Sequence, residues 1–159
     1  MFSNAALHWM NQAEAVIAGV RRALRENGRF VAEMGGHGNV AIIRSALHEA
    51  LRRRGIDPET VDPWYFPTPD DYQAKLEAHG FRVASMVLIP RPTPLPGDIS
   101  DWLETFTESF TNCLPERERV PFVAELREEL RPLLCDEASN WTADYVRLRL
   151  GVAFLRRRR

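Results

Sequence analysis

Long hydrophobic runs are missing from this sequence of 159 residues. The longest apolar segment, Val83 to Ile89, is strand-sized and far short of the ~20 residues needed to cross a bilayer. No basic region followed by an apolar stretch opens the chain, so no secretion signal is expected and the compartment it implies is cytoplasmic. Cysteine is scarce as well. Cys113 and Cys135 are too far apart for a Cys-x-x-Cys redox or zinc motif and are expected to be small, reduced core residues. Excess charge of one sign is also lacking: 21 basic against 22 acidic residues leave a formal net charge of −1. Such a balance gives no general attraction to nucleic-acid phosphates or anionic membranes, so neither is an expected partner. The local exception is Arg156-Arg157-Arg158-Arg159, which reads either as a contact to such a surface or, the commoner case, as a solvated end. Internal repeats are absent. His37, His48 and His79 have no acidic partner at ligand spacing, so no metal site is expected.

What is present is legible helix punctuation. Asn11 and Glu14 have the spacing of a capping box, followed by an apolar face of Ala13, Val16, Ile17, Val20 and Leu24. Gly28 is expected to close that helix in the left-handed cap position. Arg29 to Met34 is a short β-like run. Asn39 is expected to open a second helix burying Val40, Ile43, Leu47, Ala50 and Leu51, with Arg52, Arg53 and Arg54 at its carbonyl end and Gly55 as its stop. Thr68 caps and Pro69 begins a third helix that ends at Gly80. Phe81 to Ile89 reads as a strand covered on both faces, and Arg91 to Gly97, rich in proline, as irregular. Two more helices follow. The first buries Ile99, Trp102, Leu103, Phe106 and Phe110, and the second starts at Pro121 and buries Phe122, Val123, Leu126 and Leu130. The alternation from Tyr145 to Leu150 predicts a half-exposed strand. Strands alternating with helices predict an α/β fold with three main strands.

Gly36, Gly38 and Ala41 satisfy the G-x-G-x-x-A spacing of a dinucleotide-binding turn. Such a turn needs a second strand ending in an acidic residue ~20 positions on. Asp57 and Glu59 stand at that distance, but in a proline-rich loop directly after a helix. The glycines are more simply read as a tight exit from a strand, leaving a nucleotide-dependent oxidoreductase as a distant reading.

The order of several stretches carries a resemblance. Ser3-Asn4-Ala5-Ala6-Leu7-His8-Trp9-Met10, Asn27-Gly28 with the run Arg29 to Gly36, Phe66-Pro67-Thr68, His79-Gly80-Phe81 and Arg91-Pro92-Thr93 together resemble class I S-adenosylmethionine-dependent methyltransferases. The closest flavour is the small-molecule type that includes trans-aconitate methyltransferase. The resemblance spans nearly the whole chain and implies a partial Rossmann-like methyltransferase fold: one domain over 1–159, the C-terminal part of the whole, with a helical insertion at about 98–138. It places Phe2 to Ala5 at the end of the fourth of seven strands. The glycine turn and ribose-holding acid that bind S-adenosylmethionine have no counterpart here, so a chain not self-sufficient for cofactor binding is expected. A sheet edge left open by that arrangement would suit a homodimer or a partner chain.

The resemblance implies site residues in this numbering. Ser3, Asn4 and Ala5 would border the cofactor's methionine part, or serve only as turn residues. His8 and Trp9 would line the reaction pocket, or form a packed pair. For a small-molecule substrate that is a carboxylic acid, methyl transfer needs no base, and a cation holding the acid is more useful. Arg91, just past a strand, is the candidate for that cation, or a surface arginine stiffened by prolines. Glu33 at a strand end is the candidate general base, or an ion-pair partner. Trp64, Tyr65 and Phe66 would form a lid over the substrate, or a core plug. The expected function is therefore methyl transfer from S-adenosylmethionine to a small molecule; the alternative is a non-catalytic remnant or protein-interaction module built on the same fold.

Overall fold

The computed structural model describes residues 1–154; the arginine run 156–159 lies outside the described residues. The described residues divide into two compact units: Met1–Asn39, Trp64–Arg91 and Val146–Phe154 form one, and Val40–Pro63 with Pro92–Tyr145 the other.

The first unit is built on a mixed four-stranded sheet. Strand β1 (Phe2–Asn4) runs parallel to β2 (Arg29–Gly35), and β6 (Val146–Phe154) is inserted antiparallel between β2 and β3 (Phe81–Pro90), giving the order β1-β2-β6-β3. Alternation decides which side is packed. Phe30, Ala32 and Met34 of β2 and Leu148, Leu150 and Val152 of β6 face one core with Ile17 of helix α1 (Ala13–Ala23) and Tyr72 and Leu76 of helix α3 (Pro69–Ala78). The intervening residues, Val31, Glu33, Arg147 and Arg149 among them, project to the opposite side. Burial in this core pushes the Tyr72 phenol up to about 12.

Several local expectations are corrected. Helix α1 starts after Gln12 with no side-chain cap, so the Asn11–Glu14 box does not form, and Asn27, not Gly28, takes the left-handed conformation. An added Cβ on Gly28 would lie 2.7 Å from the Arg25 carbonyl oxygen, so close packing rather than φ demands glycine there. Thr68 does cap α3 by accepting the Asp71 N–H, but α3 ends at Ala78, and Gly80 follows at φ +83°. Strand β3 is not covered on both faces: Arg82, Ser85 and Val87 are exposed, because they lie beside Ala153, Gly151 and Arg149 on the face away from the core, while Val83, Met86 and Leu88 pack against it.

The second unit is mainly helical. Helix α2 (Ala41–Arg53) buries Ile43, Leu47, Ala50 and Leu51 as its periodicity predicts, together with His48. Asn39 does not cap it; Asp144 does, accepting the Ile42 N–H at 2.8 Å, and burial raises its carboxyl's pKa. Helices α4 (Ile99–Phe106), α5 (Glu108–Asn112) and α6 (Glu116–Leu134) follow. Helix α6 begins five residues before Pro121 and carries that proline inside its N-terminal part. Phe106 is partly exposed where full burial was expected. The segment read as irregular holds a two-residue strand, β4 (Thr93–Pro94), paired with β5 (Thr142–Ala143); proline is tolerated because neither strand has a second neighbour. Cys113 and Cys135 are free thiols, exposed and half-buried, and not core residues; each stands at the C-terminal end of a helix.

Arg53 and Arg54 at the end of α2 hold Glu125 of α6 at 2.6 Å each, and Arg53 also holds Glu129. Hydrogen bonding to Arg54 brings the Glu125 carboxyl from 4.5 down to about 2. The stabilisation is present above pH 4.5 and lost as pH falls toward 2. Glu125→Gln is therefore expected to flatten the acid limb of the stability curve between pH 4.5 and 2, measured as urea midpoint against pH.

Candidate functional site

Most of the residues singled out in the sequence gather in the sheet unit, where β1, β2 and β3 end. Strand β1 stops at a kink: Ala5 takes φ +53° and donates its N–H to the Glu33 carbonyl at 2.8 Å. The chain then makes one 3-10 turn, Leu7–Trp9, which carries His8 to the end of β2. There the Gly35 N–H donates to His8 Nδ1 at 3.1 Å, which fixes the proton of the neutral ring on Nε2. The His8 carbonyl accepts the Tyr65 N–H at 2.9 Å, tying the turn to the aromatic loop 64–66. Ring contacts continue the cluster: His8 lies 5.5 Å from Trp9 and 5.9 Å from Phe66, Trp64 stacks on Phe66, and Trp9 meets Trp64 edge-on.

Trp64 is buried and Trp9 is 42% exposed, so Trp9 alone of the two indoles could touch a ligand without rearrangement. Tyr65 points elsewhere; its hydroxyl donates to Asp71, and burial with that bond raises its pKa. Asn4 and Ala5 are exposed at the strand end, and Ser3 is half-buried.

Glu33 faces away from the core and is held by two arginines. Arg149 donates from Nε and a terminal nitrogen to Oε2 at 2.8 and 2.6 Å, and Arg91 donates to Oε1 at 3.1 Å. Both oxygens of this carboxylate are engaged, which is the ion-pair arrangement rather than that of a poised base. Arg147, two residues before Arg149, contributes with burial to the state of His8: burial first, and the Arg147 charge second, lower the imidazole from 6.5 to about 4. Arg147 and Arg149 were not singled out in the sequence. The alternation that identified the strand also put both on one face, and that was the available signal.

The GGHGN loop is not a phosphate cradle. Gly36 donates its N–H to the Val146 carbonyl, His37 to Pro67, and Asn39 to Gly36, so these groups are spent on protein acceptors. The buried Asn39 side chain accepts the Val146 N–H at 2.9 Å, which joins the loop to the start of β6. Glycine is required by close approach: a Cβ at Gly35 would lie 2.6 Å from the Phe66 ring, and one at Gly36 2.8 Å from Leu148 Cβ. Asp57 caps the short turn Pro58–Thr60, accepting the Glu59 N–H, and is no ribose ligand.

The helical unit holds its own cavities. One of about 340 Å³ is lined by Leu134, Cys135, Asp136, Asn140 and Asp144; Asn140 engages both oxygens of Asp136, and the Ile42 N–H engages Asp144 Oδ2, while Asp144 Oδ1 is buried without a hydrogen-bond partner. Among the described residues no group of three or more His, Cys, Asp or Glu side chains could hold a metal ion, and no helix is long and apolar enough to cross a membrane.

Comparison with known proteins agrees with this architecture. No family model matches the chain. The uncharacterized methyltransferase C70.08c of Schizosaccharomyces pombe is 39% identical over 160 residues, a match spanning 94% of this chain and 60% of that protein. The fold is shared with a Bacillus halodurans C-125 protein provisionally assigned as a methyltransferase, with TM-score 0.59, 9% identity, and 98% of this chain and 68% of that one covered. It is shared likewise with loganic acid methyltransferase with SAH, at TM-score 0.57 and 16% identity, covering 98% of this chain and 61% of that one. The chain is methyltransferase-like in sequence and in fold. The sheet of the first unit is thus part of a Rossmann-like α/β fold, as the resemblance implied, and the chain spans about 60% of the length of the curated relative it matches.

The state of His8 makes a prediction. The folded ring stays neutral to about pH 4 while the unfolded chain takes a proton near 6.5. Stability should therefore fall as pH drops from 6.5 to 4, by up to about 3 kcal/mol. His8→Gln keeps an acceptor for Gly35 and should remove that slope; a wild-type midpoint unchanged across this range in chemical denaturation would contradict it.

Proposed function

We propose that the chain forms the acceptor side of an S-adenosylmethionine-dependent methyltransferase acting on a small molecule. The observation that carries this reading is the grouping of the kinked end of β1, the His8–Trp9 turn and the aromatic loop 64–66 at the carboxyl ends of the two parallel strands, where α/β ligands bind. The 39% identity to a named methyltransferase supports it.

The residues present fit the cofactor only as an edge. Ser3, Asn4 and Ala5 offer an exposed strand end, but the Ala5 N–H is already given to Glu33, and the glycine-rich turn spends its donors on protein carbonyls. When bound, the cofactor would supply the methyl group. What these side chains would do is line and exclude. Trp9, Phe66 and His8 form an apolar wall that keeps water from the acceptor, and neutral His8 has Nε2–H available as a donor rather than serving as a base. Because Glu33 is ion-paired, the role of general base does not pass to it. A carboxylic acid acceptor would need none.

Ultraviolet crosslinking of radiolabelled S-adenosylmethionine to the 159-residue chain, followed by peptide mapping, tests this. Label on the peptide containing Phe2 to Met10 is expected, together with calorimetric binding no tighter than millimolar. Label confined to residues 36–39, or none at millimolar cofactor, would favour the non-catalytic interaction module instead. Micromolar affinity would refute the claim that these residues supply only an edge of the site.

A further inference from the structure

A formal net charge of −1 conceals an uneven distribution of charge in the sheet unit. Five arginines gather at the end of the sheet where β2 and β3 begin and β6 finishes. Arg21 and Arg22 stand in the last turn of α1, and Arg25 follows just beyond it. The loop after them is tied to β6 by the Asn27 N–H to the Phe154 carbonyl and the Phe154 N–H to the Gly28 carbonyl, each at 3.1 Å. Arg21 lies over the Phe154 ring, 5.3 Å from its centre. Strand register supplies the other two. Arg29 of β2 and Arg82 of β3 flank Ala153 of β6 from either side, on the face turned away from the core. All five are exposed, and among the described residues none of their guanidiniums has an ion-pair partner. The segments that carry them hold two acids, Glu26 and Glu77, and Glu77 already accepts the Gln73 amide at 2.8 Å. In the sequence, Arg156 to Arg159 follow shortly after Phe154.

Apolar side chains adjoin this corner. Phe2 is 71% exposed and Val31 42%; they are register partners on β1 and β2, and Val31 shares the outward face with Arg29. Arginine forks match phosphate oxygens, and exposed apolar side chains beside them gain by entering the boundary between headgroups and acyl chains. Single-stranded nucleic acid needs several stacking surfaces instead, and Phe2 alone is aromatic among the residues whose register puts them on this face. We propose that this corner is a docking surface for an anionic bilayer, in which the five arginines engage the phosphates of acidic lipids and Phe2 and Val31 enter the headgroup boundary. It is separate from the His8–Trp9 wall, which stands at the opposite ends of the same strands. The seven residues of β2 put about 20 Å between the two. Docking by this corner leaves the His8–Trp9 end of the sheet turned away from the lipid. The inference goes beyond methyl transfer and does not rest on it.

Flotation of the 159-residue chain with phosphatidylcholine vesicles, with or without roughly a third phosphatidylserine, tests this at low and high salt. The chain is expected to float with the acidic vesicles only and to be released as salt rises. Arg22→Gln and Arg25→Gln should each weaken that binding about fivefold, the scale of one arginine near a charged surface. Phe2→Ser should weaken it about tenfold without altering its salt dependence. Replacing Arg156 to Arg159 by glutamine should leave selective binding measurable. Equal binding to neutral vesicles, no binding to acidic ones, or unchanged affinity in the folded chain carrying both Arg22→Gln and Arg25→Gln overturns the proposal. Loss of all selectivity in the 156–159 variant overturns the assignment to the five arginines. Tighter binding of a mixed-sequence single-stranded RNA than of acidic vesicles, weakened by the same two substitutions, overturns the lipid assignment. None of these readouts needs cofactor, so a failed crosslink to S-adenosylmethionine sinks the proposed function and leaves this inference standing.

Discussion

The pairing of β6 between β2 and β3 is the constraint on which the sheet unit depends. It joins residues more than a hundred positions apart, Glu33 to Arg149 and Phe30 to Val152, with β3 on the far side. Closing so long a loop costs entropy that local turns cannot recover. The return comes from burying Leu148, Leu150 and Val152 against Phe30, Ala32 and Met34 on a single face. Two anchors hold the start of the strand in register: the Gly36 N–H to the Val146 carbonyl, and the Asn39 side chain to the Val146 N–H. The same loop that mimics a nucleotide turn is thus a clamp for the last strand.

Because the strand alternates, seating its leucines in the core necessarily presents Arg147 and Arg149 on the other face. A slip of one residue would bury both guanidiniums and expose the leucines, so register and charge placement are a single decision. The Glu33 cluster follows from the fold in this sense. Its ion pairs lie at partly exposed positions, where each contributes little stability in water. Their consequence is geometric order among cations rather than tightness of the sheet.

His8 shows the opposite balance. Its ring is held by the Gly35 N–H, enclosed by Trp9 and Phe66, and kept neutral by burial and by Arg147. One contact, made possible because Gly35 carries no side chain to collide with Phe66, connects the first turn of the chain, the end of β2 and the aromatic loop. In the helical unit the corresponding anchors are the Asp144 cap on α2 and the arginine–glutamate contacts between α2 and α6, both made by residues that local sequence patterns did not pair.

Local physics settled a good part of this protein from the sequence alone. The apolar faces of α1 and α2, the Thr68–Pro69 start of α3, the three long strands and the α/β class are all set by periodicity, capping and turn chemistry among near neighbours. So was the failure of the glycine spacing to make a nucleotide site, since the strand it needs is not next in the chain. The tertiary structure decided what distance along the chain conceals. It placed Arg149 on Glu33, gave the cap of α2 to Asp144 instead of Asn39, made β3 an exposed edge, and paired Thr93–Pro94 with Thr142–Ala143. Each of these depends on which segments meet across long loops, and that choice is made by global burial and strand register, which no short window of sequence contains.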